Sequence, residues 1–204
     1  MKITNFLALG ICLLFGSCTM QKSTVQVNDK GTEWEWNKGT IVVKTPERPA
    51  GQESVIGLAL PKMEVVRVGF VGLGMRGPGA VSRFTYIPGT QIVALCDYEK
   101  ERAEKCQKYL KEASLPKAAV YSGDKGYEEL CKRDDIDLVY IATPHSHHYL
   151  HAKMCLEAGK NVLCEKAFTV NADQARKLFA LAKEKNLLIT EAIWTRYMPS
   201  RKMI

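Results

Sequence analysis

The sequence predicts an α/β protein built on a doubly wound parallel sheet, and three observations predict it. Between residues 65 and 191, apolar runs alternate with stretches of helical periodicity. The apolar runs are short and nearly unbroken, as strands buried on both faces of a parallel sheet require. The first run ends in Gly72-Leu73-Gly74-Met75-Arg76-Gly77, a glycine-spaced turn between a strand and a helix.

The elements follow in order. Residues 65–71 are apolar except for Arg67 and form the first strand. A helix occupies 79–84 and a second strand 92–96. Residues 98–112 are strongly helical, with Ala103, Cys106 and Leu110 on one face. A third strand at 118–121 and a helix at 127–132 come next. The fourth strand is 138–142, followed by a helix at 148–158 and a fifth strand at 161–164. Asn171 caps a helix over 172–185, and 187–191 is the sixth strand. Regular strand–helix alternation with short connections gives the doubly wound arrangement.

The domain boundaries read as a signal segment at 1–18, a tether and arm at 19–63, the α/β domain at 64–192, and the start of a second domain at 193–204. Lys2 precedes an apolar stretch over 6–15 that is too short to span a bilayer comfortably. Phe15-Gly16-Ser17-Cys18 then places small residues directly before a cysteine. The pattern resembles a bacterial lipoprotein signal, with a lipid on the Cys18 sulfur, although Leu14 sits one place earlier than usual. A plain secretory peptide or a buried helix are the alternatives. The expected location is therefore the cell envelope, periplasm-facing and membrane-anchored through that lipid. Residues 19–63 are polar and irregular, with Gly31, Gly39, Pro46, Pro49 and Gly51. Trp34 and Trp36, two apart, mark a short strand with one aromatic face.

A net charge of +7 raises the question of nucleic acid. The 29 Lys and Arg are interspersed with 22 Asp and Glu, without a basic run or interleaved aromatics, so no nucleic-acid partner is expected. Lys105, Lys108 and Lys111 read as a solvated helix face. Of seven cysteines, Cys12 and Cys18 lie in the signal. The remaining Cys96, Cys106, Cys131, Cys155 and Cys164 are odd in number and show no C-x-x-C spacing, so neither a disulfide framework nor a zinc site is expected.

Four clusters carry chemistry. Gly72 permits a tight turn, Gly74 lets backbone approach a pyrophosphate, and Gly77 opens the helix whose free N–H groups face the phosphates, with Met75 and Arg76 between them. This is the fingerprint of a Rossmann domain. Asp97 ends the second strand, where a carboxylate accepts both ribose hydroxyls of the adenosine and repels a 2′-phosphate. NAD is therefore the expected cofactor, and a helix-capping role for Asp97 is compatible with it. The third cluster is Thr143-Pro144-His145-Ser146-His147-His148, with His151 one turn on. It lines the nicotinamide end; a metal held by His147 and His151 is the weaker alternative, because no carboxylate or cysteine is close in sequence, and no metal is expected. The fourth is Glu165-Lys166 after the fifth strand. It is either a solvated turn or an ammonium aimed into the cleft to polarise a substrate hydroxyl.

The run Ile141-Ala142-Thr143-Pro144, then His148, Glu157-Ala158-Gly159-Lys160 and Val162-Leu163-Cys164-Glu165-Lys166 resembles the Gfo/Idh/MocA oxidoreductases over about residues 65–199. The resemblance implies that Lys166 matches the lysine of the family's Glu-Lys-Pro motif, the catalytic residue beside nicotinamide and substrate carbinol, while Thr143, Pro144, His145, His148 and Glu165 contribute to the cofactor site. Ala167 replaces the motif's proline, and His145 stands where the family usually has Asn. Glu191-Ala192 with Trp194-Thr195-Arg196-Tyr197 looks like the start of the second domain in the dihydrodiol dehydrogenase branch. Thr45-Pro46-Glu47-Arg48-Pro49-Ala50-Gly51, Gly74 to Val81 and Arg133-Asp134-Asp135-Ile136-Asp137-Leu138-Val139-Tyr140 are similar instead to NAD-dependent, N-acetylgalactosaminidase-like glycoside hydrolases of the same superfamily, whose pattern lacks the Glu-Lys pair. The pair tilts the expectation toward a dehydrogenase acting on a sugar or polyol. The family's second, α+β domain, with its acid/base histidine and usual oligomer interface, is expected to be absent from these 204 residues. A chain without it is expected to bind cofactor and not turn over; a non-catalytic module is the third reading.

Overall fold

A computed structural model describes residues 26–27, 33–43 and 59–193. The expected signal segment with Cys18, the motif at 45–51 and the run from Trp194 onward lie outside the described residues.

The α/β unit carries six strands: β4 (Val66–Val71), β5 (Thr90–Asp97), β6 (Ala119–Ser122), β7 (Leu138–Ile141), β8 (Asn161–Glu165) and β9 (Ile189–Ala192). Their order in the sheet is β6-β5-β4-β7-β8-β9 and every pairing is parallel. The chain thus runs outward from β4 in one direction and then, from β7, in the other. That reversal leaves a crevice between the C-terminal ends of β4 and β7.

Five helices cover the two faces: α1 (Gly77–Phe84), α2 (Lys100–Glu112), α3 (Gly126–Cys131), α4 (His145–Glu157) and α5 (Ala172–Glu184). Side chains alternate across each strand, and the core divides accordingly. Phe70, Leu95 and Tyr140 join Ala80 and Val81 of α1 and Ala103, Cys106 and Leu110 of α2 on one face. Val71, Cys96, Val139 and Ile141 join Leu130 of α3, Ala152 and Leu156 of α4 and Leu178 of α5 on the other. The apolar face expected of α2 is the buried one.

Arg67, the one charge in the first strand, has a physical explanation. Its backbone N–H, Nε and one terminal nitrogen all donate to the Asp137 carboxylate, at 2.8, 2.9 and 2.7 Å. The pair ties the starts of β4 and β7 together at the end of the sheet remote from the crevice. It also holds the Asp137 carboxyl below the usual carboxylate range.

Two expectations are corrected. The helix after β7 begins at His145, three residues earlier than the sequence suggested, because Pro144 (φ −57°) occupies the N-cap and presets the entry. The histidines therefore sit on the first turns of α4, not in a loop. The segment expected to be irregular contains a small antiparallel sheet of β1 (Gln26–Val27), β2 (Glu33–Asn37) and β3 (Thr40–Val43). Lys38 and Gly39, at φ 46° and 81°, form the two-residue hairpin turn between β2 and β3. Trp34 and Trp36 lie on β2, as their spacing suggested.

Candidate cofactor site

The crevice is built first by backbone. Gly72 follows β4 at φ 93°, and a methyl there would drive into Thr143 N and the Ala142 carbonyl, at 2.5–2.8 Å. A methyl at Gly77 would overlap the Gly72 carbonyl. Both positions accept only glycine. Gly74 differs: a methyl there would meet no protein atom within 4 Å. The glycine is not needed for packing, and the open space is what the approach of a pyrophosphate requires. Met75 and Arg76 are exposed beside it. Helix α1 starts at Gly77 with no acidic residue in its first turn, so its free N–H groups face no competing anion.

Asp97 ends β5 and is only 7% exposed. Its Oδ2 accepts from Leu73 N–H at 2.6 Å, fixing the glycine turn. Its Oδ1 accepts from Glu99 N–H at 3.0 Å and from Arg102 at 3.4 Å. The capping role expected as an alternative is not what the carboxylate does: the helix starts at Lys100 with Glu99 as its N-cap and no side-chain cap bond, and Asp97 holds the turn that leads into it. A carboxylate offers about four acceptor positions, and these donors occupy three of them. The Arg102 contact is the longest and comes from a side chain 54% exposed, so it is the weakest of the three.

The second wall is the segment after β7. Thr143 Oγ1 lies 3.0 Å from His151 Nδ1. His148 is fully buried, and its two ring nitrogens each lie 2.8 Å from a carbonyl oxygen, that of Ala167 and that of Thr143. Carbonyls only accept, so the ring nitrogen that carries a proton donates to the carbonyl it faces, and the imidazole is wedged between the two loops. His145, exposed at the mouth, reaches the Lys166 carbonyl at 3.0 Å. Burial, followed by neighbouring His147 and His148, pushes His151 down to about 4, so its ring is neutral. The His147 and His151 rings stack 5.7 Å apart, and among the described residues no three metal-capable side chains converge.

The third wall is the loop after β8. Lys166 and Ala167 are exposed and follow directly on the C-terminal end of β8. The Glu165 carboxylate faces the α1 side: it accepts from Tyr140 OH at 2.7 Å and from Lys166 N–H at 3.3 Å. Burial and that carboxylate push the Tyr140 phenol up. Glu191 of β9 accepts from Phe168 N–H at 2.9 Å. Three successive residues, Lys166, Ala167 and Phe168, thus have a backbone group held by His145, His148 and Glu191 in turn. That support replaces the rigidity that a proline at position 167 would have supplied.

The structure brings Gly72, Thr143, His145, His148 and Lys166 to adjoining strand ends and places Asp97 against the glycine turn. Sequence reasoning missed Tyr140, Glu191 and Arg102. Tyr140 and Glu191 reach partners 25 and 23 residues away, a separation with no local signature. Arg102, five residues past Asp97 on a helix, carried a detectable signal.

Residues 66–192 match the family described as oxidoreductase family, NAD-binding Rossmann fold, of the Gfo/Idh/MocA group. The chain belongs to the Gfo/Idh/MocA oxidoreductase family. Its α/β unit is the family's NAD-binding domain, and its cofactor is NAD. Among this family's curated members, the chain is 65% identical over 182 residues to Glycosyl hydrolase family 109 protein 4 of Phocaeicola vulgatus, covering 89% of this chain and 35% of that protein. Protein 5 of the same bacterium is 61% identical over 193 residues, covering 92% of this chain and 37% of that protein. The chain thus spans about a third of the length of these relatives. A similar solved structure is KijD10, a 3-ketoreductase from Actinomadura kijaniata in complex with NADP and TDP-benzene. Its TM-score is 0.60 at 29% identity, over 68% of this chain and 40% of that one.

Proposed function

We propose that this chain supplies the NAD(H)-binding domain of an enzyme that oxidises a CH–OH group of a sugar or polyol, with Lys166 polarising the reacting hydroxyl. The observation that carries the reading is the meeting of three walls at one end of the sheet: the glycine turn, the Thr143–His148 segment and the Glu165–Lys166 loop. When bound, NAD supplies the acceptor for the substrate's hydride. The chain's own residues do the rest. Gly72, Gly74, Met75, Arg76, Gly77 and the start of α1 hold the phosphates, and Asp97 holds the ribose. Thr143, Pro144, His145 and His148 shape the nicotinamide end. The Lys166 ammonium donates a hydrogen bond to the substrate oxygen, easing loss of its proton. His145, His148 and Glu191 keep the lysine's backbone in place.

A second reading is favoured by the relatives at 61 and 65% identity, which are named as glycosyl hydrolases. In it the oxidation is transient and the net reaction is glycoside cleavage. One experiment separates the two. The whole enzyme to which this domain is proposed to belong is supplied with NAD and with either free sugars and polyols or nitrophenyl glycosides. Accumulating NADH supports the dehydrogenase; nitrophenol release without net NADH supports the glycosidase. Either signal is expected to fall by roughly 10²-fold or more in Lys166→Ala. An unchanged rate in that variant would remove Lys166 from the chemistry.

We also propose that the protein is exported and held on a membrane through a lipid on Cys18, a reading supported by the sequence of its first 18 residues. Among the described residues no helix is long and apolar enough to cross a membrane. Cys18→Ser is expected to release the protein from the membrane fraction; retention there would contradict the anchor.

A further inference from the structure

The face of the sheet covered by α3, α4 and α5 is unusually rich in thiols. Cys96 of β5, Cys131 of α3, Cys155 of α4 and Cys164 of β8 are all buried there. Two of them stand apart by geometry. Cys131 is the last residue of α3 and Cys155 lies two residues before the end of α4. Their sulfurs are 3.3 Å apart. A disulfide needs about 2.05 Å, so closure asks for a movement of roughly 1.3 Å, which side-chain rotation at a helix end can supply.

We propose that Cys131 and Cys155 are a disulfide site that closes when the chain folds in an oxidising medium, stapling α3 to α4. The oxidant is a small disulfide such as oxidised glutathione. The Cys131 thiolate attacks one of its sulfurs, forming a mixed disulfide and expelling one thiolate. The Cys155 thiolate then attacks the Cys131 sulfur and expels the second. Two protein thiols are oxidised and one small disulfide is reduced to two thiols, so electrons and protons balance.

The surroundings select this pair. The hydrogen bond from Cys155, with help from the Lys160 ammonium, pulls the Cys131 thiol below its ordinary range. Burial pushes Cys106 up to about 11 and Cys96 and Cys164 up to about 12, and the hydrogen bond with Cys131 together with burial pushes Cys155 up too, so the pair is selected by the 3.3 Å approach of its sulfurs and not by acidity alone. Cys131 and Cys155 are only 4% and 1% exposed, so exchange happens before α3 and α4 finish packing, not on the folded surface. Once closed, the bond is protected by the same burial. Because α4 carries His145 and His148 at its other end, the staple also fixes the helix that forms one wall of the candidate cofactor site.

The test uses the full chain. It is unfolded, refolded with either oxidised or reduced glutathione, trapped with N-ethylmaleimide in denaturant, and digested with trypsin. Cys131 falls in the peptide Gly126–Lys132 and Cys155 in Met154–Lys160, each with a single cysteine. The oxidised sample is expected to contain these two peptides linked, about 2 Da lighter than their sum, and the link to vanish on reduction. Cys96, Cys106 and Cys164 are expected to carry the label. The oxidised protein is expected to melt roughly 5–10 °C higher than the reduced one, a difference that disappears in Cys155→Ala and persists in Cys106→Ala. Label on both Cys131 and Cys155 after oxidative refolding would overturn the proposal. So would comparable yields of Cys131 linked to Cys96 or to Cys106. The peptide map needs no variant, so a substitution that prevents folding leaves it intact.

Discussion

At the residue scale, packing requires two of the three glycines of the turn and leaves the third free. A methyl at Gly72 or Gly77 meets backbone atoms that cannot move aside, whereas at Gly74 it meets none. Gly72→Ala and Gly77→Ala are expected to lower the urea midpoint sharply or to prevent folding. Gly74→Ala is expected to melt within about 0.5 kcal/mol of the unmutated protein yet lose NAD affinity, a split that denaturation and titration read separately. His151 gives a second prediction. Its folded value of about 4 lies below the unfolded 6.5, so the unfolded chain binds more protons between those values. Stability is full above about pH 6.5, falls as the pH drops toward 4, and is roughly 2 kcal/mol lower at pH 5 than at pH 7 from this group. Denaturation of His151→Gln at both pH values should show that difference shrink; an unchanged difference would move the effect elsewhere. The glycines, Asp97 and Lys166 were legible in the sequence because their signals are local: a turn, a strand end, a motif. The bonds from Tyr140 to Glu165 and from His148 to the Ala167 carbonyl were not, because the partners meet only once the sheet has formed.

At the element scale, strands were legible to within two residues, because most of the buried runs are bounded by charge or glycine. Helix starts were less so. Pro144 moved α4 forward to His145, and the polar, histidine-rich first turn hid the helix from an apolar-periodicity reading. Asn171 was legible as a cap, and its side chain does accept from Gln174 N–H at 2.9 Å. Asn171→Ala is expected to destabilise the domain by about 1 kcal/mol, read as a lower midpoint with an unchanged denaturant slope. A change in slope would mean that α5 detaches separately. The β2–β3 hairpin escaped the sequence reading because its turn is Lys38-Gly39, without the Asn-Gly or Asp-Gly that announces such turns. Only the paired tryptophans hinted at it.

At the scale of the α/β unit, the doubly wound topology puts the candidate cofactor residues at one end of one sheet. The order β6-β5-β4-β7-β8-β9 places the glycine turn, the Thr143 segment and the Lys166 loop on three neighbouring strands, with Asp97 on the fourth. Arg67 and Asp137 hold the opposite end, so stability and binding are built from different ends of the strands. Asp97 fixes the glycine turn through Leu73 N–H, and in the proposed function it also holds the ribose. Removing its carboxylate should cost stability as well as selectivity. The most direct test of the account is isothermal titration of the folded chain with NAD and with NADP, alongside Asp97→Ala. The account predicts one site per chain, at least about tenfold tighter for NAD than for NADP, and a smaller gap in the variant. Equal affinity for the two cofactors in the unmutated chain, or no binding by a chain shown to be folded, would contradict it.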